Sequence, residues 1–146
     1  NLEVREILPA PFTGQSFPGF EDIDLSFDEL ESLVRNGRPD WQAPLASVKG
    51  IYLITDTLTG KRYVGSAKGE QGIWQRWCDY AATGHGGNVE LRALENDPTL
   101  EYCRKAFRFT LLEYRSAMTP DAVIQAREDH WKRILLSRGE HGLNRN

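Results

Sequence analysis

Cysteine is scarce in this chain, and long apolar stretches are missing. The two cysteines, Cys78 and Cys103, stand far apart and form neither a metal-type spacing nor a disulfide framework. Such usage is typical of the reducing cytoplasm, where we expect the protein to lie, with both thiols structural. With a mean hydropathy of −0.52, the sequence offers no apolar run long enough for a membrane span and no segment typical of a signal peptide.

An excess of basic residues is also missing. The chain has 18 lysines and arginines against 21 aspartates and glutamates, a net charge of −3. A domain that binds nucleic acid unaided usually has a basic face that displaces counterions from phosphate. The charges are uneven, because Arg104, Lys105 and Arg108 alternate with aromatic residues while acids crowd residues 22–31. A local basic surface on the later part of the chain is therefore compatible with the sequence.

The 146 residues suit one compact domain with an attached segment. Residues 1–47 are rich in turn-forming proline and glycine, and we assign them to an N-terminal extension that Trp41 holds against the main domain. The domain proper is expected over residues 48–146. Because the chain begins at Asn1 rather than methionine, we expect it to be a fragment of a larger protein.

One short helix is predicted inside the extension. Ser26 followed by Glu29 is a capping-box pattern, and acidic residues at this end suit the helix dipole. Gly37 then ends the apolar periodicity, so the helix is predicted over Phe27–Asn36.

A β-hairpin is predicted over residues 48–65. Two runs rich in β-branched and apolar residues flank a segment with turn chemistry. If Tyr52 lies opposite Tyr63, both phenols point to the same face of the sheet. Gly50 and Gly65 would leave room beside the two rings.

Periodicity and turn residues predict the remaining elements. They are helices over residues 71–83, 88–96 and 120–137, and a strand over residues 106–114. Pro120 suits a helix start. The sequence therefore predicts an α+β fold, with a small three-stranded antiparallel sheet flanked by helices.

The hairpin carries a family resemblance. Gly50-Ile51-Tyr52, followed by Tyr63-Val64-Gly65, resembles the paired motif of GIY-YIG nucleases. These include homing endonucleases, some restriction enzymes and the incision subunit of nucleotide excision repair. Either tripeptide alone is a weak signal, but further family positions follow in order at Arg76, Tyr80, Glu128 and Asn144. The resemblance covers residues 48–144 and implies an endonuclease domain that uses a divalent cation, Mg²⁺ or Mn²⁺, to hydrolyse phosphodiester bonds.

Arg76 and Tyr80 are expected on one face of the first helix after the hairpin. Their spacing of four places them beside Ile73 and Trp77 on the side that faces the sheet. An isolated helix would favour a surface arginine lying over Trp77. Behind two tyrosines, the planar guanidinium is better suited to clamping a phosphate, which is the interpretation we favour.

Glu128 interrupts an otherwise apolar helical stripe made of Ile124, Trp131 and Leu135. A buried carboxylate needs an ion pair, a proton or a metal. On this stripe alone, a salt bridge to Arg127, Lys132 or another basic neighbour is as plausible as a metal site. The resemblance assigns the matching glutamate to the cation, and together with the hairpin and Arg76 we favour Mg²⁺ held by one carboxylate, waters and substrate phosphates.

The resemblance also assigns roles to the tyrosines. Tyr63 is expected to be the general base for the attacking water, with Tyr52 as its orienting partner. Because an unperturbed phenol titrates near pH 10, a nearby cation or Arg76 must offset the phenolate charge. Either tyrosine taken alone would be interpreted as core packing with a solvated hydroxyl.

His85 and Asn144 complete the candidate site. His85 lies in a glycine-rich loop and is a candidate for proton transfer or phosphate contact, whereas the simpler interpretation is a solvated loop histidine. Asn144 is expected, by resemblance, to hold the substrate side of the site, although it could simply finish a turn with Gly142. The sequence departs from the family pattern in three respects: Gln75, where several members have lysine, Ser66, where the repair enzyme has lysine, and the negative net charge. These departures bear on affinity and substrate range more than on chemistry.

The expected partner is nucleic acid, with DNA the favoured substrate and specificity supplied by an upstream domain or a partner subunit. Two other classes fit the same residues. One is a catalytically silent nucleic-acid-binding module with this fold. The other is a protein-interaction domain in which residues 1–47 bind a partner subunit.

Overall fold

The computed structural model describes residues 15–88, 91 and 100–145. The helix expected over residues 88–96 falls largely outside this part of the chain. Within it, no helix has both the length and the apolar character needed to cross a membrane.

The described chain contains both helices and strands. In order they are a 3₁₀ turn (Phe20–Asp22), β1 (Leu25–Ser26), α1 (Phe27–Asn36), α2 (Pro39–Ala46), β2 (Val48–Asp56), β3 (Arg62–Ala67), α3 (Gly72–Thr83), α4 (Glu101–Ala106), β4 (Phe107–Ser116) and α5 (Asp121–Ile134).

The sheet has four strands in the order β1-β4-β2-β3, and every pairing is antiparallel. The fold is therefore α+β as predicted, but the expected count of three strands is wrong. The additional strand, β1, lies in the segment that we assigned to the extension, and Leu25 pairs with Phe109. Two residues are too few to show a strand periodicity, so this pairing had no signal in the sequence.

The predicted hairpin forms from β2 and β3, and its register differs from the one considered above. Tyr52 pairs with Gly65, while Tyr63 pairs with Ile54, so Tyr52 does not lie opposite Tyr63. The offset is two residues, which keeps both phenols on one face because strand side chains alternate. The ring of Tyr52 lies across Gly65, where an added Cβ would overlap it. Contact between this large ring and a residue without a side chain explains the observed pairing.

Helix α1 begins and ends where the sequence predicts. Ser26 accepts a hydrogen bond from the Glu29 backbone, the Glu29 carboxylate accepts one from the Ser26 backbone, and Gly37 ends the helix with a positive φ of 57°. We expected one helix in the extension, but the segment after α1 forms a second helix, α2. Pro39 favours rather than breaks this helix, because the first-turn N–H groups have no partner inside the helix.

The two faces of the sheet cover separate hydrophobic clusters. Helices α1–α3 pack on one face, where the largest fully buried side chains include Trp41, Tyr52, Trp77, Tyr80 and Phe109. The other face packs against α5 through Ile51, Val64 and Ile124. Residues 23–45 supply many members of the first cluster, and the indole of Trp41 donates to the carbonyl of Gln15 over 3.1 Å.

Candidate active site

The structure brings Tyr52, Tyr63, Arg76 and Tyr80 together on one face of the sheet. The Tyr52 and Tyr80 hydroxyls lie 2.9 Å apart and are buried. The ring centroids of Tyr52 and Tyr63 are 6.5 Å apart, and the Arg76 guanidinium carbon lies 4.9 Å from the Tyr80 ring centroid. Helix α3 positions Arg76 and Tyr80 one turn apart, as the sequence predicts.

Burial and mutual repulsion keep two of the phenols neutral. Burial raises the pKa of Tyr52 above its ordinary value, Tyr63 adds to the shift, and the Arg76 guanidinium beside the hydroxyl opposes it. Burial also raises the pKa of Tyr80, with Tyr52 contributing in the same direction. At neutral pH, Tyr52 and Tyr80 are therefore hydrogen-bonding phenols rather than bases.

Arg76 keeps its charge in this setting. Burial opposes the charge, but the neighbouring tyrosines, Tyr52 foremost, raise the pKa of Arg76 above the ordinary value. Among the described residues it pairs with the carboxylate of Asp79, at 3.5 Å, and the arginine side chain is 29% exposed. A half-buried guanidinium with one long ion pair retains donors for a second anion.

A cleft of about 420 Å³ opens beside Arg76. Residues 66–72, which end β3 and lead into α3, form one wall, and Gln75, Arg76 and Asp79 form the other. Lys68 also lines this cleft, and its ammonium donates to the Gln125 side chain over 2.8 Å. The cleft is therefore lined by two cations, Lys68 and Arg76, and by two carboxylates, Glu70 and Asp79.

Glu128 lies on the other face of β3, on helix α5. The Ser66 hydroxyl donates a short hydrogen bond to its Oε1. The Lys132 ammonium lies 2.7 Å from Oε2 of Glu128. The lysine side chain is 3% exposed and the glutamate side chain is 13% exposed. The ion-pair alternative at Glu128 is therefore present in the structure. Ser66 connects the two halves of the site, because it contacts Glu128 and lines the cleft next to Arg76.

The donor set at Glu128 suits a hard cation that keeps most of its water. Within the described residues there is no cluster of three or more histidine, cysteine, aspartate or glutamate side chains that could hold a metal ion. One carboxylate with a neighbouring hydroxyl matches Mg²⁺, which usually binds through one or two carboxylates, waters and phosphate oxygens. A cation there would have to compete with the ammonium of Lys132.

Asn144 belongs to the edge of the sheet. Its side-chain amide donates to the Val64 carbonyl over 3.0 Å and its carbonyl accepts from the Val64 N–H over 2.8 Å. The preceding residue, Leu143, donates its N–H to the Arg62 carbonyl. Asn144 thus completes the hydrogen bonds of edge strand β3, and so supports the strand that carries Tyr63 and Ser66.

His85 lies in the loop that follows α3. Its Nδ1 accepts a hydrogen bond from the Gly87 N–H over 2.8 Å. The neighbouring Gly86 packs so closely on the Tyr80 ring that a Cβ would be 2.8 Å from it. The loop therefore borders the tyrosine cluster, which consists of Tyr52, Tyr63 and Tyr80. The imidazole stabilises the turn.

Comparisons with known proteins gave no match. They covered protein-family models, curated proteins and solved structures. The resemblance to GIY-YIG nucleases therefore depends on the residues of this chain alone.

Sequence reasoning missed the importance of Ser66. It was interpreted only as a departure from the family pattern, yet it is the residue that contacts Glu128. Strand alternation was the available signal, because Ser66 shares a face with Val64, away from Tyr63. Lys132 appeared only among several candidate partners of Glu128, although its spacing of four on the same helix favoured it.

The basic residues of the later chain are paired with acids of the earlier chain. Arg104 lies 2.8 Å from Glu31, and Arg108 lies 2.8 Å from Asp24. These pairs connect α4 and β4 to α1 and the segment before it. The uneven charge pattern along the sequence therefore corresponds to neutralised contacts at these two arginines, rather than to the basic surface that we considered.

Proposed function

We propose that this chain is a GIY-YIG-type endonuclease domain that hydrolyses phosphodiester bonds in nucleic acid, with DNA the favoured substrate and Mg²⁺ or Mn²⁺ as the cation. The observation that carries the proposal is the Arg76 guanidinium, which is half-buried among three phenols and lines a cleft next to Ser66. A guanidinium in that position is suited to binding a phosphate through two parallel hydrogen bonds.

Each residue then has a defined task. Arg76 binds the scissile phosphate and neutralises the charge that develops on its oxygens. Tyr63, the partly exposed tyrosine of the cluster, is the general base: its phenolate form, whose negative charge Arg76 offsets, accepts a proton from the attacking water and becomes the neutral phenol. Tyr52 and Tyr80 remain protonated, and their linked hydroxyls fix the position of the guanidinium. A divalent cation, when bound at Glu128, supplies Lewis-acid stabilisation of the phosphate and the leaving oxygen.

Binding by the isolated chain should be weak and strongly dependent on salt. The net charge is −3, and Arg104 and Arg108 are already paired with acids. Lys68 and Arg76 are cations that line the cleft. We therefore propose that an upstream domain or a partner subunit supplies affinity and sequence specificity.

A nicking assay tests the proposal. Supercoiled plasmid and end-labelled single-stranded, duplex and branched DNA are incubated with Mg²⁺, Mn²⁺ or chelator. The parent should cleave at least one substrate only when a cation is present, and Tyr63→Phe should lose this activity. Tyr114→Phe is the matched control, because Tyr114 is also a strand tyrosine but is 42% exposed and outside the cluster. Cleavage that survives Tyr63→Phe, or a parent that cleaves none of the substrates, would overturn the proposal.

The second candidate is a nucleic-acid-binding module without hydrolytic activity. The observation that favours it is the ion pair of Glu128 with Lys132, since that glutamate already has a cationic partner. This candidate requires labelled DNA to bind in a manner that depends on Arg76, while no cleavage occurs at any Mn²⁺ concentration.

A further inference from the structure

Lys132 occupies the position at Glu128 that a divalent cation would need. We propose that this lysine is an internal counter-ion that lowers the affinity of Glu128 for Mg²⁺ or Mn²⁺. The inference rests on the proposed function, because it takes Glu128 as the cation ligand. It concerns a residue that has no part in binding the phosphate or activating the water.

Both oxygens of Glu128 are engaged. Lys132 Nζ lies 2.7 Å from Oε2, and the Ser66 hydroxyl donates to Oε1. The lysine side chain is only 3% exposed, so its ammonium is held in the helix–sheet interface. A second pair on the same helix differs: Asp121 lies 3.3 Å from Lys49, and its side chain is 68% exposed.

A divalent cation and a buried ammonium cannot share one carboxylate without strong repulsion. Charges a few ångströms apart at a protein site of low effective dielectric interact far more strongly than in water. Cation binding must therefore move the Lys132 ammonium away from Glu128. The free energy lost with this ion pair lowers the net free energy of cation binding. Binding of the cation then needs further oxygen ligands, and the phosphates of a bound substrate supply them.

Binding of Mn²⁺ to the full chain, measured from the free-ion paramagnetic resonance signal, tests the inference. Lys132→Met removes the ammonium and keeps most of the side-chain volume, and it should bind Mn²⁺ about tenfold tighter than the parent or better. Lys49→Met removes an equal charge from the pair with Asp121 and should bind as the parent does. The double variant Lys132→Met with Glu128→Gln should lose the gain.

Thermal melts with and without Mn²⁺ extend the test to a variant that keeps a hydrogen-bond donor. Lys132→Gln removes the charge but can still donate to Glu128, so Mn²⁺ should raise its melting temperature more than that of the parent. The inference is overturned if Mn²⁺ affects the parent and both Lys132 variants equally, or if tighter binding persists without Glu128.

The nicking assay distinguishes this inference from the proposed function. A parent that nicks, while Lys132→Met gains no affinity for Mn²⁺, refutes the inference alone. A Lys132→Met protein that gains a Glu128-dependent Mn²⁺ site, while the parent cleaves nothing, refutes the endonuclease proposal alone.

Discussion

Replacing Glu128 with glutamine should destabilise the protein in the absence of metal. The substitution keeps the shape of the side chain and removes one negative charge. In the structure that charge is 2.7 Å from the ammonium of Lys132, which is 3% exposed. Glu128→Gln would therefore remove the negative charge that lies beside a buried ammonium, and breaking a buried pair in this way is strongly destabilising.

The expected magnitude follows from the geometry. At an effective dielectric constant of about 20, two unit charges at this separation attract by about 6 kcal/mol. The amide oxygen still accepts a hydrogen bond, and Glu128 is 13% exposed, so water replaces part of the lost interaction. We expect the free energy of unfolding to fall by about 3 kcal/mol. For a chain of 146 residues, this corresponds to a melting temperature lower by roughly 10 °C.

Thermal and urea unfolding in chelator measure this change. Asp121→Asn is the control, because it removes the exposed carboxylate of the Lys49 pair and should cost less than about 1 kcal/mol. Adding Lys132→Met to Glu128→Gln should recover much of the stability, since no cation is then stranded. A Glu128→Gln protein as stable as the parent would refute the role assigned to this ion pair.

Three further outcomes follow from the site. Arg76→Lys should fold like the parent and nick DNA about 100-fold more slowly, because a point charge cannot make the bidentate contact; nicking within a few-fold of the parent would assign Arg76 a structural role. The free energy of unfolding should be level through neutral pH and fall above about pH 10. Burial holds the pKa values of Tyr52 and Tyr80 above the value in the unfolded chain, so the unfolded chain loses these protons first as the pH rises. A free energy of unfolding, measured by urea titration, that stays level to about pH 11 would contradict this. Gly65→Ala should lower the free energy of unfolding by about 1–3 kcal/mol, because the added Cβ would overlap the Tyr52 ring. Gly69→Ala is the control and should melt like the parent, because its Cβ would meet open space.

Local signals predicted the elements whose ends depend on nearby residues. The capping box of Ser26 and Glu29 and the left-handed Gly37 fix α1 without help from the rest of the fold. Helix α5 begins directly after Pro120, as predicted. The predicted strand of residues 106–114 corresponds to β4 at Phe107–Ser116. These features were predictable because each depends on residues close together in the chain.

Features that depend on distant pairing were not predictable. The two residues of β1 become a strand only because β4 offers them an edge. Tyr52 pairs with Gly65 and its ring packs on that glycine, whereas the sequence indicated only that Gly65 leaves room beside the tyrosine rings. The shared face of Tyr52 and Tyr63 was predicted nevertheless, since a two-residue offset leaves the face unchanged.

The partner of Glu128 illustrates how a distant irregularity decides a local contact. Strict alternation along β4 would place Glu113 on the face of Leu111, next to the tyrosine cluster. A register shift between Ile51 and Tyr52 instead pairs Glu113 with Ile51, on the face covered by α5.

On that face, Glu113 pairs with Arg127, the other basic residue that we considered as a partner of Glu128. Its carboxylate accepts hydrogen bonds from Arg127, at 2.8 Å, and from the indole of Trp131, at 3.0 Å. Burial opposes the negative charge of Glu113, but these donors keep its pKa below the ordinary value. With Arg127 engaged, Lys132 is the neighbour that pairs with Glu128. The spacing of four on α5 favours Lys132 as the partner of Glu128, and the bulge in the sheet adds to this by bringing Glu113 to Arg127.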